Sequence, residues 1–312
     1  MYSRFQALEN YGKKQRQQLE NSAVAIVGLG ATGSVIAENL ARHGIKLKII
    51  DRDYLEENDV YSSNIYTPEQ CKKSLPKAEA AKDYLNQFTE VEAKVESLKS
   101  ENISILEDAD IILDGTDNLA TRFLISEYSQ KKETPWIYTA AIAEKGYSMF
   151  FQDKCFNCIF EKVSTGKLET CETAGVMREI SGQAALKSSL KAVEYLTGQK
   201  VEEKLDVVHK EESLNVESSG CPVCRGEKYP HLEEKTGTTA VCGENKYQVE
   251  IQMQEGLEEK LRELGKIKAD NKYLIRAEVK GKEFTLFKDG RVILRARDRG
   301  HAESLVSEVL GI

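Results

Sequence analysis

Three glycines at a fixed spacing form the most informative chemical motif of the chain. Gly28, Gly30 and Gly33 follow an apolar run at 24–27 and lead into residues 34–40, whose apolar positions have helical spacing. Gly28 permits a tight turn, Gly30 lets the backbone approach a phosphate, and Gly33 lets the helix pack closely on the strand. The amides at the helix start then face an anion. The motif predicts nucleotide binding, and the alternative is a structural turn without a ligand.

An acidic residue ends the next predicted strand, at 46–50. Asp51 follows the glycines by about twenty residues, an offset at which a carboxylate can accept hydrogen bonds from ribose hydroxyl groups. The polar loop behind it carries Asp53 and Asn58. Open α/β sheets bind ligands beyond the carboxyl ends of their strands, so we expect both residues beside the nucleotide.

A further carboxylate, Asp117, is predicted at the same edge of the sheet. The buried strand at 109–114 runs into Gly115-Thr116-Asp117-Asn118 and then into a helix at 119–131. Asp117 or Asn118 would cap that helix. Capping leaves a carboxylate with a second oxygen, so a metal ion could bind there as well.

Length and charge narrow the classes of function. A chain of 312 residues can form one large domain or two. The net charge of −7 argues against nucleic-acid binding through phosphate neutralisation. No stretch is apolar for long enough to cross a bilayer, and no apolar run follows the first residues as in a secretory signal. We therefore expect a cytoplasmic protein without nucleic-acid or membrane partners, whose thiols stay reduced.

The seven cysteines include two Cys-x-x-Cys pairs, Cys155 with Cys158 and Cys221 with Cys224. Two such pairs in a reducing compartment are typical of a zinc site with four thiolate ligands. A closed site of this kind leaves no open position, so the predicted Zn²⁺ is structural rather than catalytic. A redox pair is the alternative, but no thioredoxin-like βαβ start precedes either pair.

Cys171 lies outside these pairs, in a polar loop at 164–175. A loop cysteine near a helix start can have a lowered pKa and act as a nucleophile. The alternative is a partly buried thiol without chemistry, and the residues alone favour neither.

The elements that position these residues predict a Rossmann-like, doubly wound α/β sheet with a structural zinc site. Predicted strands and helices alternate as far as about residue 151, and we assign residues 1–226 to this domain. Residues 227–240 are polar and predict a linker. Residues 241–312 predict a small α+β domain with hairpins at Lys280-Gly281 and Asp289-Gly290. It has no nucleophile or metal cluster, so we expect it to contact a partner or subunit.

The chain resembles the ThiF/MoeB/HesA proteins, which are related to ubiquitin-activating enzymes. The resemblance covers about residues 2–226. Besides the glycine motif, Asp51 and the two cysteine pairs, it rests on Tyr2-Ser3-Arg4, Pro76-Lys77, Thr116-Asp117-Asn118 and Thr170-Cys171-Glu172-Thr173-Ala174-Gly175. It implies adenylation, in which ATP and Mg²⁺ activate the C-terminal glycine carboxylate of a small ubiquitin-like protein ending in Gly-Gly, and pyrophosphate leaves.

The resemblance also implies roles for single residues. A carboxylate that attacks a phosphate brings two anions together, so cations must offset the charge. Lys77 would contact phosphate, and Asp117 would hold Mg²⁺. Arg4 would reach the ATP of the other subunit, which implies a homodimer, and Cys171 would take part in covalent or sulfur transfer. The alternative for Lys77 is a solvated lysine in the first turn of a helix. The alternative for Arg4 is a frayed terminal residue.

One loop departs from the family pattern. The family usually has Asn-x-x-Arg-Gln after the second strand, with its Asn and Arg facing ATP, and those positions hold Asp59 and Ser62 here. Loss of a bidentate phosphate clamp weakens ATP binding or slows catalysis. Candidates for replacement are the amides of Asn58 and Asn64 and the positive charges of Lys72 and Lys73.

These observations predict an adenylyltransferase that acts on a ubiquitin-like sulfur carrier of molybdopterin or thiamine synthesis, tRNA thiolation or protein tagging. A second hypothesis is an NAD-dependent oxidoreductase, which the glycine motif and Asp51 permit. No His or Tyr–Lys arrangement stands out for hydride transfer, however. A third hypothesis is a nucleotide-binding zinc scaffold with reduced catalysis, which Ser62 motivates.

Overall fold

A computed structural model describes residues 5, 7–8, 10–160, 174–210, 212–233 and 245–311, and the backbone of 239–240. The chain divides into two compact units, one formed by residues 1–71 and 76–234 and the other by residues 72–75 and 235–312. Arg4 and Cys171, two of the predicted site residues, lie outside the described residues.

The first unit is built on one eight-stranded sheet. Its strands are β1 (Ala23–Val27), β2 (Lys46–Ile50), β3 (Val91–Lys94), β4 (Ile111–Asp114), β5 (Trp136–Ile142), β6 (Lys145–Phe151), β7 (Lys204–Val207) and β8 (Glu212–Asn215). The sheet order is β3-β2-β1-β4-β5-β6-β7-β8. Strands β1 to β5 are parallel, and β6, β7 and β8 each pair antiparallel with the preceding strand. The parallel part has the Rossmann order that the sequence predicts.

Helices connect these strands. They are α1 (Lys13–Asn21), α2 (Gly33–Arg42), α3 (Glu57–Ser62), α4 (Pro68–Lys72), α5 (Lys77–Leu85), α6 (Leu119–Lys132), α7 (Phe156–Phe160), α8 (Arg178–Leu196) and α9 (Pro230–Glu233), with 3-10 turns at Ser100–Leu106 and Val208–Lys210. Aromatic rings fill the core below β5 and β6, where Trp136 stacks on Phe151 with ring centroids 4.8 Å apart. The central strands β1 and β4 are nearly continuous apolar runs, as expected for parallel strands that are covered on both faces of the sheet.

In the described residues of the second unit, a six-stranded antiparallel sheet packs with two helices. The strands are β9 (Thr239–Ala240), β10 (Lys246–Glu250), β11 (Lys266–Asp270), β12 (Leu274–Val279), β13 (Lys282–Phe287) and β14 (Arg291–Arg295), in the order β11-β12-β13-β14-β10-β9. Helices α10 (Leu257–Leu264) and α11 (Arg299–Leu310) share one apolar core with the strands. Lys280 and Gly281 both have positive φ between β12 and β13, which confirms that hairpin.

Several elements differ from the sequence-based expectations. The polar loop after Asp51 contains helix α3, which begins with a capping box in which the Glu56 amide donates to Asp59 Oδ2 at 2.8 Å. Part of the predicted linker is helix α9. The sequence did not predict β7, β8 or β11. These strands have only four or five residues, and β8 and β11 are mostly exposed, so their apolar signal is weak.

The glycine turn, residues 28–33, packs against the end of β4 by backbone contact. Gly28 has a φ of +85°. A Cβ on Gly33 would lie 1.8 Å from the Gly28 carbonyl oxygen, and a Cβ on Gly115 would lie 2.6 Å from Gly33 Cα. A Cβ on Gly30 would meet nothing within 4 Å. The outer two glycines of the motif are therefore needed by the fold, whereas the middle one leaves open space at the turn.

We predict that Gly33→Ala lowers the free energy of unfolding by about 1–3 kcal/mol, because the added methyl group overlaps the Gly28 carbonyl. Gly30→Ala is the matched control and should change the unfolding free energy by no more than about 0.5 kcal/mol. Urea unfolding of both variants measures the difference. Equal stabilities for the two variants would contradict this account of the turn.

Candidate nucleotide-binding site

The Asp51 carboxylate fastens the glycine turn to the end of β2. Its Oδ2 accepts a hydrogen bond from the Leu29 amide at 2.7 Å, and its Oδ1 accepts one from the Asp53 amide at 2.7 Å. Burial raises the pKa of Asp51 to about 6; the Asp53 charge adds to this rise, and Lys77 opposes it. Both carboxylate oxygens thus bind the backbone, a positioning role that the sequence pattern did not indicate. The predicted contact with a ribose stays a prediction.

Lys77 begins α5 at the same sheet edge. Its backbone N–H donates to the Asp53 carbonyl at 2.8 Å, and its Nζ pairs with Asp59 Oδ1 at 2.8 Å. The two paired side chains are only 15% and 14% exposed. Burial lowers the pKa of Lys77, but the charges of Asp59, Asp51 and Asp53 outweigh it and hold the pKa well above its usual range. Lys77 is therefore a charged ammonium fixed beside the glycine turn, not a solvated lysine.

A buried ion pair shapes the loop that carries Asp117. Arg122 Nε lies 2.9 Å from Asp114 Oδ2, and the guanidinium also donates to the carbonyls of Thr116 and Thr139. Asp114 Oδ1 accepts from the Thr116 amide at 2.8 Å and from its hydroxyl at 2.6 Å. Burial raises the pKa of Asp114, and the Arg122 charge opposes the rise. The Asp114–Arg122 pair, through its hydrogen bonds to Thr116, therefore fixes the backbone conformation between Gly115 and Asp117.

The residue after Asp117 starts α6. Asn118 Oδ1 accepts a hydrogen bond from the Thr121 amide at 2.8 Å, so Asn118 rather than Asp117 caps the helix. Asp117 is exposed at the carboxyl edge of the sheet. The sequence did not indicate the role of Arg122. An arginine in a predicted helix can be buried in an ion pair or exposed to solvent, and the sequence does not distinguish the two.

The loop that departs from the family pattern lies against the glycine turn. Tyr66 is buried and donates from its hydroxyl to the Leu29 carbonyl at 2.8 Å. Asp59, at the family's Asn position, holds Lys77, and the Ser62 hydroxyl donates to the Asp59 carbonyl at 3.4 Å. Asn58 is exposed on α3. At the positions where the resemblance predicts two ATP-facing side chains, the chain thus has a carboxylate and a short hydroxyl.

The four cysteines of the two pairs come together, as their spacing predicts. The Sγ atoms of Cys155, Cys158, Cys221 and Cys224 all lie within 4.8 Å of one another and could hold a metal ion. Five of their separations lie between 3.0 and 3.9 Å. Tetrahedral zinc with Zn–S bonds of about 2.3 Å separates its sulfurs by about 3.8 Å. The donor set and its dimensions fit a zinc ion, and we call these residues the cysteine cluster.

A buried glutamate ties the segment behind the cysteine cluster to α6. Glu127 accepts hydrogen bonds from the amides of His231 and Leu232 at 2.7 and 3.1 Å, and His231 Nδ1 lies 2.6 Å from its Oε1. The His231 ring stacks on Phe123. These contacts join the segment after the second cysteine pair to α6, the helix whose Arg122 pairs with Asp114 beside the Asp117 loop.

Comparison with known proteins agrees with this geometry. The ThiF family matches residues 2–227. The chain belongs to the ThiF family. It is 30% identical over 333 residues to the "Sulfur carrier protein ThiS adenylyltransferase" of Bacillus subtilis, and the match covers 99% of both chains. It is 30% identical over 206 residues to the "Adenylyltransferase and sulfurtransferase MOCS3" of Drosophila ananassae, covering 63% of this chain and 45% of that protein.

A solved structure shares the fold of this chain. Escherichia coli MccB, solved with succinimide, superposes with a TM-score of 0.60 at 17% identity, covering 72% of this chain and 74% of MccB. This ThiF-family chain is an adenylyltransferase and uses ATP, as its family does. Membership favours the adenylyltransferase prediction over the oxidoreductase hypothesis. Across the described residues, no helix is both long and apolar enough to cross a bilayer.

The raised pKa of Asp51 predicts how stability depends on pH. Because the native pKa is about 6 and the unfolded one about 3.9, unfolding releases a proton between these values. The unfolding free energy therefore falls as pH rises through this window, by up to about 1.4 kcal/mol per pH unit. Asp51→Asn removes that contribution.

Urea unfolding of wild type and Asp51→Asn from about pH 4 to pH 6.5 measures this effect. We expect the stability difference between the two proteins to shift against the wild type as the pH rises. A difference that stays constant over the range would show that the Asp51 pKa is not raised.

Proposed function

We propose that this chain adenylates the C-terminal glycine carboxylate of a small ubiquitin-like sulfur-carrier protein ending in Gly-Gly. The carboxylate oxygen attacks the α-phosphorus of ATP, the bond to the bridging oxygen of the β-phosphate breaks, and pyrophosphate leaves with the electron pair. The name and the full-length match of the Bacillus relative support a carrier protein as substrate. The observation that carries the proposal is the charged Lys77 fixed beside the open glycine turn.

In this proposal the sheet edge binds the nucleotide. The amides of residues 30–33, at the second half of the glycine turn and the start of α2, face the phosphates, and the open side of Gly30 admits them. Lys77 exchanges Asp59 for a phosphate oxygen and offsets the negative charge that builds up in the transition state. Asp51, Asp53 and Asn58 line the nucleotide.

Mg²⁺ would be held by Asp117 and would neutralise phosphate charge. Asp117 fits this role because it is an exposed carboxylate whose backbone is fixed by the Asp114–Arg122 pair. Such a fixed backbone positions a carboxylate without further reorganisation.

Arg4 and Cys171 complete the proposal from the family resemblance. Arg4 would reach the phosphates of the partner subunit's ATP in a homodimer. Cys171 would take part in covalent transfer, in which its thiolate attacks the acyl adenylate and forms a thioester with the carrier as AMP leaves. We propose a cytoplasmic enzyme, whose thiols stay reduced. Residues 1–226 would form the adenylation domain, residues 227–240 a linker, and residues 241–312 a domain for contact with a partner.

We further propose that the cysteine cluster holds a structural Zn²⁺. Four thiolates close the coordination shell, so the ion would stabilise the fold and leave no position for substrate. The Glu127–His231 contact supports this role, because it links the segment after the second cysteine pair to α6.

The alternative of a zinc scaffold with reduced catalysis remains a second candidate. It is favoured by one observation, the replacement of the family's Asn and Arg by Asp59 and Ser62, with Asp59 holding Lys77. A scaffold would bind nucleotide without exchanging pyrophosphate.

Carrier-dependent exchange of labelled pyrophosphate into ATP tests the proposed reaction. We expect exchange with a Gly-Gly-ending carrier and none with the same carrier lacking its last glycine. Lys77→Ala should lower the exchange rate about 100- to 1,000-fold, because a positioned cation stabilises the transition state. Lys82→Ala, on the same helix, is the matched control. Exchange that survives Lys77→Ala at the Lys82→Ala level would exclude this role for Lys77.

Metal analysis tests the cysteine cluster. We expect about one zinc ion per purified chain and a large loss of zinc in Cys158→Ser. Cys71→Ser, which changes a cysteine outside the cluster, should keep the metal. Removal of zinc by a chelator should lower the melting temperature of the wild type. A wild type without zinc, or a Cys158→Ser variant that retains it, would refute the assignment.

A further inference from the structure

The charges around Lys77 leave the proposed site short of positive charge for a triphosphate. The Lys77 ammonium is already paired with Asp59, and the Asp51 and Asp53 charges also act on it. The family's arginine position in the adjoining helix α3 is occupied by Ser62. Because a triphosphate carries several negative charges, its binding requires a further cation at this edge.

Arg178 is a cation that the fold places at the same edge of the sheet. It is the first residue of α8, and the segment before it is hydrogen-bonded to Ala143: the Ala143 amide donates to the Gly175 carbonyl at 2.8 Å, and the Met177 amide donates to the Ala143 carbonyl at 3.2 Å. Ala143 directly follows the end of β5, which is parallel to β4. The start of α8 therefore lies at the carboxyl edge, where open α/β sheets bind ligands.

The Arg178 side chain reaches the loop that departs from the family pattern. Its Nη2 donates a hydrogen bond to Asn64 Oδ1. Asn64 lies two residues after Ser62 and two residues before Tyr66, whose hydroxyl binds the glycine turn at Leu29. The guanidinium is exposed, and no carboxylate among the described residues pairs with it.

We propose that Arg178 supplies the triphosphate-binding guanidinium that this chain lacks at position 62. A guanidinium has five N–H donors, and the Asn64 bond leaves others that can bind phosphate oxygens in a bidentate manner. Asn64 orients the group, which is a different role from the direct substitution that the sequence suggested for it. This inference rests on the proposed function, since it assigns a further residue to the same site.

Binding of MgATP and of adenosine to Arg178→Ala, measured by titration calorimetry, tests the inference. We expect the MgATP dissociation constant to rise roughly 10- to 100-fold, because a hydrogen bond between charged groups is lost. The dissociation constant of adenosine, which has no phosphate, should stay unchanged. Lys187→Ala is the matched control, because Lys187 is an exposed cation of the same helix and pairs with Asp206.

A second substitution asks whether the two positions are equivalent. Ser62→Arg in the Arg178→Ala background should restore most of the lost MgATP affinity, which a merely structural role for Arg178 does not predict. MgATP affinity that is the same in Arg178→Ala and Lys187→Ala would overturn the inference. A parallel loss of adenosine affinity, or a double variant without any recovery, would do so as well.

These measurements separate the inference from the proposed function because no carrier protein is present. Wild-type chain that binds MgATP but exchanges no pyrophosphate with Gly-Gly-ending carriers would refute the proposed reaction and leave the role of Arg178 to the binding data. Wild-type chain that binds no MgATP would refute both.

Discussion

The arrangement of the site depends on one buried carboxylate, that of Asp51. By accepting hydrogen bonds from the Leu29 and Asp53 amides it joins the glycine turn to the end of β2. The Asp53 carbonyl in turn accepts a hydrogen bond from the Lys77 amide, so that α5 begins beside the glycine turn. A buried carboxyl costs free energy when it ionises, and the backbone amides and Lys77 offset part of this cost. The same hydrogen bonds therefore position the backbone of the site and stabilise the charge of Asp51.

Most of the architecture of the first unit could be predicted from local sequence patterns. The apolar runs that became β1, β2 and β4, the glycine motif between β1 and α2, and the proline before α5 each dictate structure within a few residues. The mostly exposed β8 and β11 were not predicted, because they are only four and five residues long and contain few apolar residues. The family, the Rossmann-like fold and the adenylyltransferase class are confirmed.

The side-chain partners of the site were less accessible. Sequence spacing indicated that the four cysteines meet, because two Cys-x-x-Cys pairs have few other uses in a reduced protein. It did not reveal that Arg122 is buried against Asp114, that Glu127 anchors His231, or that Asp59 holds Lys77. Each of these pairs joins residues of two different elements, and the sequence shows the charge of each residue but neither its partner nor its burial. The predicted roles of Arg4 and Cys171 stay predictions, since both lie outside the described residues.

The central claim is that the glycine turn and Lys77 together bind the triphosphate of ATP. A crystal structure with Mg²⁺ and a non-hydrolysable ATP analogue tests it most directly. The account predicts phosphates against the amides of residues 30–33, with Lys77 Nζ moved from Asp59 to a phosphate oxygen. Phosphates bound elsewhere, or Lys77 still paired with Asp59 beside a bound nucleotide, would contradict it.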